Sequence, residues 1–319
     1  MGRGDLIERK FMRAALSHFI LCLLLVAATG AAAQDKGTIN PRPLPPLSHP
    51  DDPKTPAKEL FARKPTPARE DPRPIGFYSA GCLAGGAALP VDGPTWQVMR
   101  LSRNRNWGHP TLIRFLEDLG RTVHDAETWN GLLMGDMSQP RGGPMITGHA
   151  SHQIGLDSDI WLKPMPPRQL TRIEREEMMS TNVVAKDQLD VDPSLWTPGH
   201  AALIKAAALD PRVARIFVNP AIKKVLCREA TGDRAWLEKV RPYWGHDYHF
   251  HVRLRCPAGA AECTPQAPPP TGDGCDQDLA WWFTEEVLHP KPGTTPEKPR
   301  PPLTMAGLPG ACRAVLDTP

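Results

Sequence analysis

The chain has 319 residues, with 38 Lys and Arg against 35 Asp and Glu, and a formal charge of +3. So near-neutral a balance gives no electrostatic basis for binding nucleic acid. Apolar residues make up 40% of the sequence, enough for a real core, while 37 prolines mark stretches that can bury little.

The first segment carries Arg9, Lys10 and Arg13, an apolar run over 19–28, and small residues ending Ala31-Ala32-Ala33-Gln34. This pattern predicts a secretory signal peptide over 1–33, cleaved after Ala33 and directing the protein to the periplasm. The run is shorter than the roughly 20 residues a spanning helix needs, so no transmembrane segment is expected. Cys22 leaves with it, since bulky Ile20 and Leu21 argue against a lipid-attachment site. Loss of four basic and two acidic residues lowers the formal charge from +3 to +1 and leaves six cysteines. An even count in an exported chain predicts disulfides. The sequence alone leaves their pairing open, although Cys256 and Cys263 are close enough for a local loop.

Residues 34–75 are rich in proline and charge and read as an extended, disordered tether. A domain is expected over 76–257, followed by a Pro-rich wrap over 258–319 that cysteines pin to it. Within the domain, Pro110 followed by Leu112, Ile113, Leu116 and Leu119 has helical spacing with proline in the first turn. Residues 198–209 read the same way. The run 213–218 is a short β-branched strand, and Asn219-Pro220 then caps and opens a helix. From 249 to 256 the chain alternates, with His249, His251 and Arg253 on one side and Phe250, Val252 and Leu254 on the other. Strands mixed with helices in one disulfide-tied unit predict an α+β domain, a small antiparallel sheet carrying the chemistry with helices beside it.

Five histidines fall in two short clusters, G-H-A-S-H-Q-I-G-L-D-S-D at 148–159 and G-H-D-Y-H-F-H-V at 245–252. A catalytic zinc is held by about three His or carboxylate donors beside a water of lowered pKa. His152, Asp159 and His251 supply such a set. The H-E-x-x-H helix of common metalloproteases is absent, and Gly148 and Gly155 favour turn and strand, so the ligands must converge from separate elements. His249 lies on the same side of its strand as His251 and is the expected general base, with His246 next. Asp157 alternates with Asp159 and could orient a ligand histidine or cap a loop. Arg141 with Gly142-Gly143 reads as a turn with a surface charge. Trp107, Trp161, Trp196 and Trp244 read as core.

H-x6-D followed by H-x-H resembles the zinc peptidase group of lysostaphin-like, D-Ala-D-Ala-cleaving and hedgehog-like proteins. More specifically, S-H-Q-I-G-L-D-S-D-I at 151–160, R-I-F-V-N-P-A-I-K at 215–223 and H-V-R-L-R-C-P at 251–257 resemble the penicillin-insensitive murein endopeptidase family, over about 76–319. The resemblance implies a zinc enzyme hydrolysing the D-alanyl-meso-diaminopimelyl cross-links between peptidoglycan stem peptides. It implies His149, His152, Asp159 and His251 as metal positions. Asp187 and Asp190 fall where a further metal contact can lie, although the family pattern has His at the position of Asp190. The resemblance also implies the pairs Cys82 with Cys312, Cys227 with Cys275, and Cys256 with Cys263. Within the same zinc group, a D,D- or L,D-carboxypeptidase is the competing activity, and a non-catalytic peptidoglycan-binding module is the alternative of another class.

Overall fold

The structure is a computed structural model and describes residues 36–290 and 301–319. The expected signal peptide lies outside the described residues. Short helix α1 (Ala57–Phe61) leads into a hairpin of β1 (Arg73–Phe77) and β2 (Ala80–Ala84). Next come β3 (Ala87–Ala88), β4 (Asp92–Gly93), β5 (Trp96–Val98) and β6 (Trp107–Gly108), with β3 and β6 paired as a two-stranded ribbon. Helix α2 (Pro110–Asp125) starts with proline in its first turn, and His109 caps it by accepting from the Thr111 N–H.

Strands β7 (Leu132–Met134) and β8 (Asp157–Trp161), helices α3 (Arg172–Glu177) and α4 (Pro198–Leu209), strand β9 (Val213–Val218), helix α5 (Pro220–Glu229) and strands β10 (Val240–Pro242) and β11 (His249–Leu254) follow. The main sheet has seven strands in the order β10-β9-β11-β8-β7-β5-β4. The α+β class stands, but this sheet is larger than the small antiparallel one expected. The β10–β9 and β5–β7 pairs are parallel, while β9, β11, β8 and β7 form an antiparallel centre. Leu112, Phe115 and Leu116 of α2, with Leu203 and Ile204 of α4, join Ile160, Phe250, Val252 and Leu254 in one core. That core fills one side of strands β8 and β11 and leaves the other side for polar residues. Both sides of β11 are nonetheless buried, so its alternation separates apolar from polar chemistry and not buried from exposed.

The C-terminal part contributes α6 (Gln277–Trp281), α7 (Glu285–Leu288) and α8 (Ala311–Asp317). Disulfides join Cys82 to Cys312, Cys227 to Cys275 and Cys256 to Cys263. The first ties α8 to β2, where Cys312, Val315 and Leu316 pack with Ala57, Leu60, Phe61 and Ile75 in a second small core.

That core corrects the reading of 34–75 as a disordered tether. Phe61 is 1% exposed, and the Ala57 N–H donates to the Leu303 carbonyl. The apolar side chains of α1 find partners more than 200 positions away in sequence, so local composition understated their burial. Gly143 lies flat beneath the Phe61 ring at a φ of +74°, where a Cβ would strike the ring. Arg141 is also corrected. It is buried, and its guanidinium donates to the carbonyls of Thr66, Val315, Leu316 and Thr318, clamping the end of α8.

Candidate metal centre

Register builds the site. In the β8–β11 pair, Asp159 lies opposite His251 and Asp157 lies opposite Arg253. Residues two apart share a side, so Asp157, Asp159, His249, His251 and Arg253 all project away from the main core. A loop that enters β8 adds His149 and His152. It turns tightly at Gly148 and Gly155, both at positive φ, and at His152 itself, whose φ is +68°. A positive φ at a non-glycine residue is a strained arrangement, and here it aims the imidazole under the sheet.

The four imidazoles divide the two oxygens of Asp159 between them. His152 Nε2 and His251 Nδ1 approach Oδ1 at 3.4 and 3.3 Å. His149 Nδ1 and His249 Nε2 approach Oδ2 at 3.4 and 3.5 Å. The rings of His152 and His251 lie 4.5 Å apart, and those of His149 and His152 lie 4.3 Å apart. Burial alone would raise the pKa of Asp159, but His249, His149 and His152 around it hold the carboxyl well below its usual range. Burial lowers the pKa of His152 to about 4, and that of His246 to about 3.

Two carboxylates stand behind these groups. Asp157 Oδ1 accepts from Arg253 Nε at 2.7 Å and lies 2.9 Å from His251 Nε2, while its Oδ2 accepts from the His152 backbone N–H. Of the two roles the sequence left open for Asp157, the buried one that orients a neighbouring histidine fits. Asp136 was missed from sequence. It is buried, lies 3.1 Å from His149 Nε2, and accepts from Arg103 and Arg105. The signal was a lone carboxylate inside the apolar stretch 132–137, since a buried charge there requires partners.

Buried polar atoms without a protein partner concentrate here: both ring nitrogens of His152, Oδ1 of Asp159 and Nδ1 of His249. Such atoms are costly unless something engages them. His149, His152 and Asp159 each offer a ligand atom, all within 4.8 Å of one another, and so could hold a metal ion. Two imidazoles and a carboxylate suit a divalent cation such as zinc.

His246 sits at the edge of this cluster, its ring 5.0 Å from that of His249 and its Nδ1 2.8 Å from the Trp244 carbonyl. Asp187 and Asp190 are not brought in. Asp187 accepts from the Leu189 N–H, and Asp190 pairs with Arg228 at 2.7 Å and Lys224 at 3.8 Å. Those cations on α5 are the partners of Asp190, and neither acid belongs to the group formed by His149, His152 and Asp159. Among the four tryptophans expected in the core, Trp161 and Trp196 are buried and Trp107 is half-buried, but Trp244 is exposed against Trp282.

Residues 74–317 match the family model described as penicillin-insensitive murein endopeptidase. The chain belongs to this family. Relatives bearing the penicillin-insensitive murein endopeptidase name include a protein of Klebsiella pneumoniae, 49% identical over 76% of this chain and 85% of its own length. One from Haemophilus influenzae is 46% identical over 81% of this chain and 87% of its own. A third, from Yersinia pestis, is 45% identical over 79% and 88%. In this member of the penicillin-insensitive murein endopeptidase family, the paired oxygens of Asp159 and their four histidines lie within the matched region.

Proposed function

We propose that this protein is a periplasmic zinc D,D-endopeptidase that hydrolyses the D-alanyl-meso-diaminopimelyl cross-link of peptidoglycan. The observation that carries the reading is the convergence of His152 and His251 on one oxygen of Asp159, with both His152 nitrogens and that oxygen lacking other partners. His152, Asp159 and His251 would hold the ion, with His149, whose ring nitrogen lies within ligand reach of His152 and Asp159, as a further donor. Bound there, zinc would supply Lewis acidity toward a water and toward the carbonyl oxygen of the scissile amide.

The chain's own groups manage the protons. His249 has a ring nitrogen without a protein partner and borders Asp159, so it takes the proton of the attacking water. His249 then returns that proton to the departing diaminopimelyl amine, while His246 beside it, kept neutral by burial, helps position the water. Asp157 and Asp136 hold His251 and His149 in place. No serine nucleophile takes part, which accounts for insensitivity to β-lactams, reagents that acylate serine. Three disulfides suit an oxidising compartment outside the cytoplasm.

The test is digestion of purified cross-linked muropeptide dimers and uncross-linked pentapeptide monomers, before and after EDTA and after added zinc. Dimer cleavage that EDTA abolishes and zinc restores is expected. Full activity in metal-free protein would refute the zinc reading, and trimming of monomers in preference to dimers would make the enzyme a carboxypeptidase.

A further inference from the structure

We propose that a cationic groove beside the metal centre, walled on one side by the N-terminal segment, binds the free carboxylates of the peptidoglycan stem peptide. The inference rests on the proposed function and specifies which chemistry of the substrate the protein grips away from the cleaved bond. The groove encloses about 740 Å³, within the usual range for a ligand site. Six cations line it, Arg42, Arg63, Lys64, Arg103, Arg105 and Arg172, and no carboxylate does. Arg103 and Arg105 share Asp136, and Arg63 pairs with Glu59. Arg42, Lys64 and Arg172 make no ion pair among the described residues. On a chain of formal charge +3, this is a local concentration of positive charge, and such clefts focus field on anionic ligands.

Two features connect the groove to the chemistry. Arg105 also donates to the Thr147 carbonyl, two residues before His149, and Asp136 links both arginines to the His149 ring. A ligand lying along Arg103 and Arg105 therefore leads to the metal centre. The opposite wall, Pro41 to Leu44 and Ala62 to Pro65, precedes the family match that begins at residue 74. Thr38 N–H donates to Ser102 Oγ, Arg63 Nε donates to the Pro45 carbonyl, and Asn104 Nδ2 donates to the Pro65 carbonyl. These bonds fasten the segment over the turn that presents Arg103 and Arg105. The diaminopimelyl residue keeps a free carboxylate beside the cleaved amide, and acidic residues elsewhere in the stem add more, so the ligand has the complementary charge.

The test uses a triple variant, Arg42→Glu, Lys64→Glu and Arg172→Glu, whose side chains lie outside the metal centre. Binding of a fluorescent cross-linked dimer should weaken about tenfold or more at low salt, with the gap to wild type closing near 0.5 M salt. KM should rise with kcat within about twofold. A dimer with amidated carboxylates should bind wild type and variant equally weakly. Unchanged dimer affinity in the variant, or undiminished binding of the amidated dimer by wild type, would overturn the proposal. Tighter binding of wild type to anionic phospholipid vesicles than to the dimer, lost in the variant, would overturn it in favour of a membrane surface. Because binding is read without turnover, a wild type that grips the dimer through these cations but never cleaves it refutes the proposed reaction and leaves the groove standing.

Discussion

Asp157 backs His251: its Oδ1 lies 2.9 Å from Nε2 of the imidazole, whose Nδ1 then faces Asp159 Oδ1 at 3.3 Å. A carboxylate on the far nitrogen fixes both the tautomer and the ring orientation of a ligand histidine. Replacing Asp157 with Asn keeps the shape but removes the charge. Zinc affinity, measured by chelator competition, should fall about 10- to 100-fold, with activity falling alongside it at limiting zinc. Because Asn also leaves buried Arg253 without its anion, some loss of stability is expected as well, and circular dichroism must first show a folded variant. Wild-type zinc affinity in folded Asp157→Asn would remove Asp157 from this role.

Buried Lys223 should give the protein a pH-dependent stability on the alkaline side. Its ammonium donates to the carbonyls of Leu237 and Asp273, joining α5 to the C-terminal part beside the Cys227–Cys275 bond. Burial, aided by the charge of Arg241, lowers its pKa from 10.5 to about 7, against the opposing pull of Asp273. Between those two values the unfolded chain binds the proton and the folded chain does not, so stability rises with pH across the window. Lys223→Met should flatten that rise by about 1 kcal/mol per pH unit. Urea midpoints at pH 7, 8 and 9 would show it, and parallel curves for the two proteins would count against it.

The small second core predicts that α1 and α8 unfold together. Cys82–Cys312 spans 230 positions and ties α8 to β2, in the core where α1 also packs. Thiol titration of the denatured, unreduced mature protein should find none of the six cysteines free. Replacing both Cys82 and Cys312 by Ala should cost about 2–5 kcal/mol and expose residues 36–70 to protease. Phe61→Ala, in the same core, should cost about 3 kcal/mol and open the same sites. A double cysteine variant as resistant to protease as wild type would contradict this coupling.

What the sequence disclosed divides by range. Helices α2 and α4, strand β9 with its Asn219-Pro220 junction, and strand β11 could be read because each is written in a local period or cap. The chemistry of β11 was also legible, since alternation alone places His249 and His251 together. Burial of Phe61 was not, because its partners Cys312 and Leu316 are distant in sequence. Asp136 escaped for a related reason. Nothing adjacent in sequence announces that Arg103, Arg105 and His149 converge on it. The pairing of Asp190 with Arg228 was not legible either, because acids in a polar loop look alike until their partners are located.

The two histidines of β11 should separate ligand from base. Both border Asp159, but on different oxygens: His251 shares Oδ1 with His152, while His249 meets Oδ2 beside His149 and keeps an unpartnered Nδ1. Behind His251 stands Asp157, whereas no carboxylate hydrogen-bonds the far nitrogen of His249 among the described residues. A group held on both sides is suited to ligation, and one free on one side is suited to proton transfer. His251→Ala should therefore lose zinc and activity together. His249→Ala should retain most of its zinc while losing about 100-fold or more in cleavage of cross-linked dimers, the scale for removing a positioned acid-base group. Zinc stoichiometry and dimer cleavage, measured on both variants after circular dichroism shows them folded, decide the matter. If His249→Ala sheds its metal as completely as His251→Ala, then both histidines are ligands and the proton must be taken by another group, with His246 the nearest candidate.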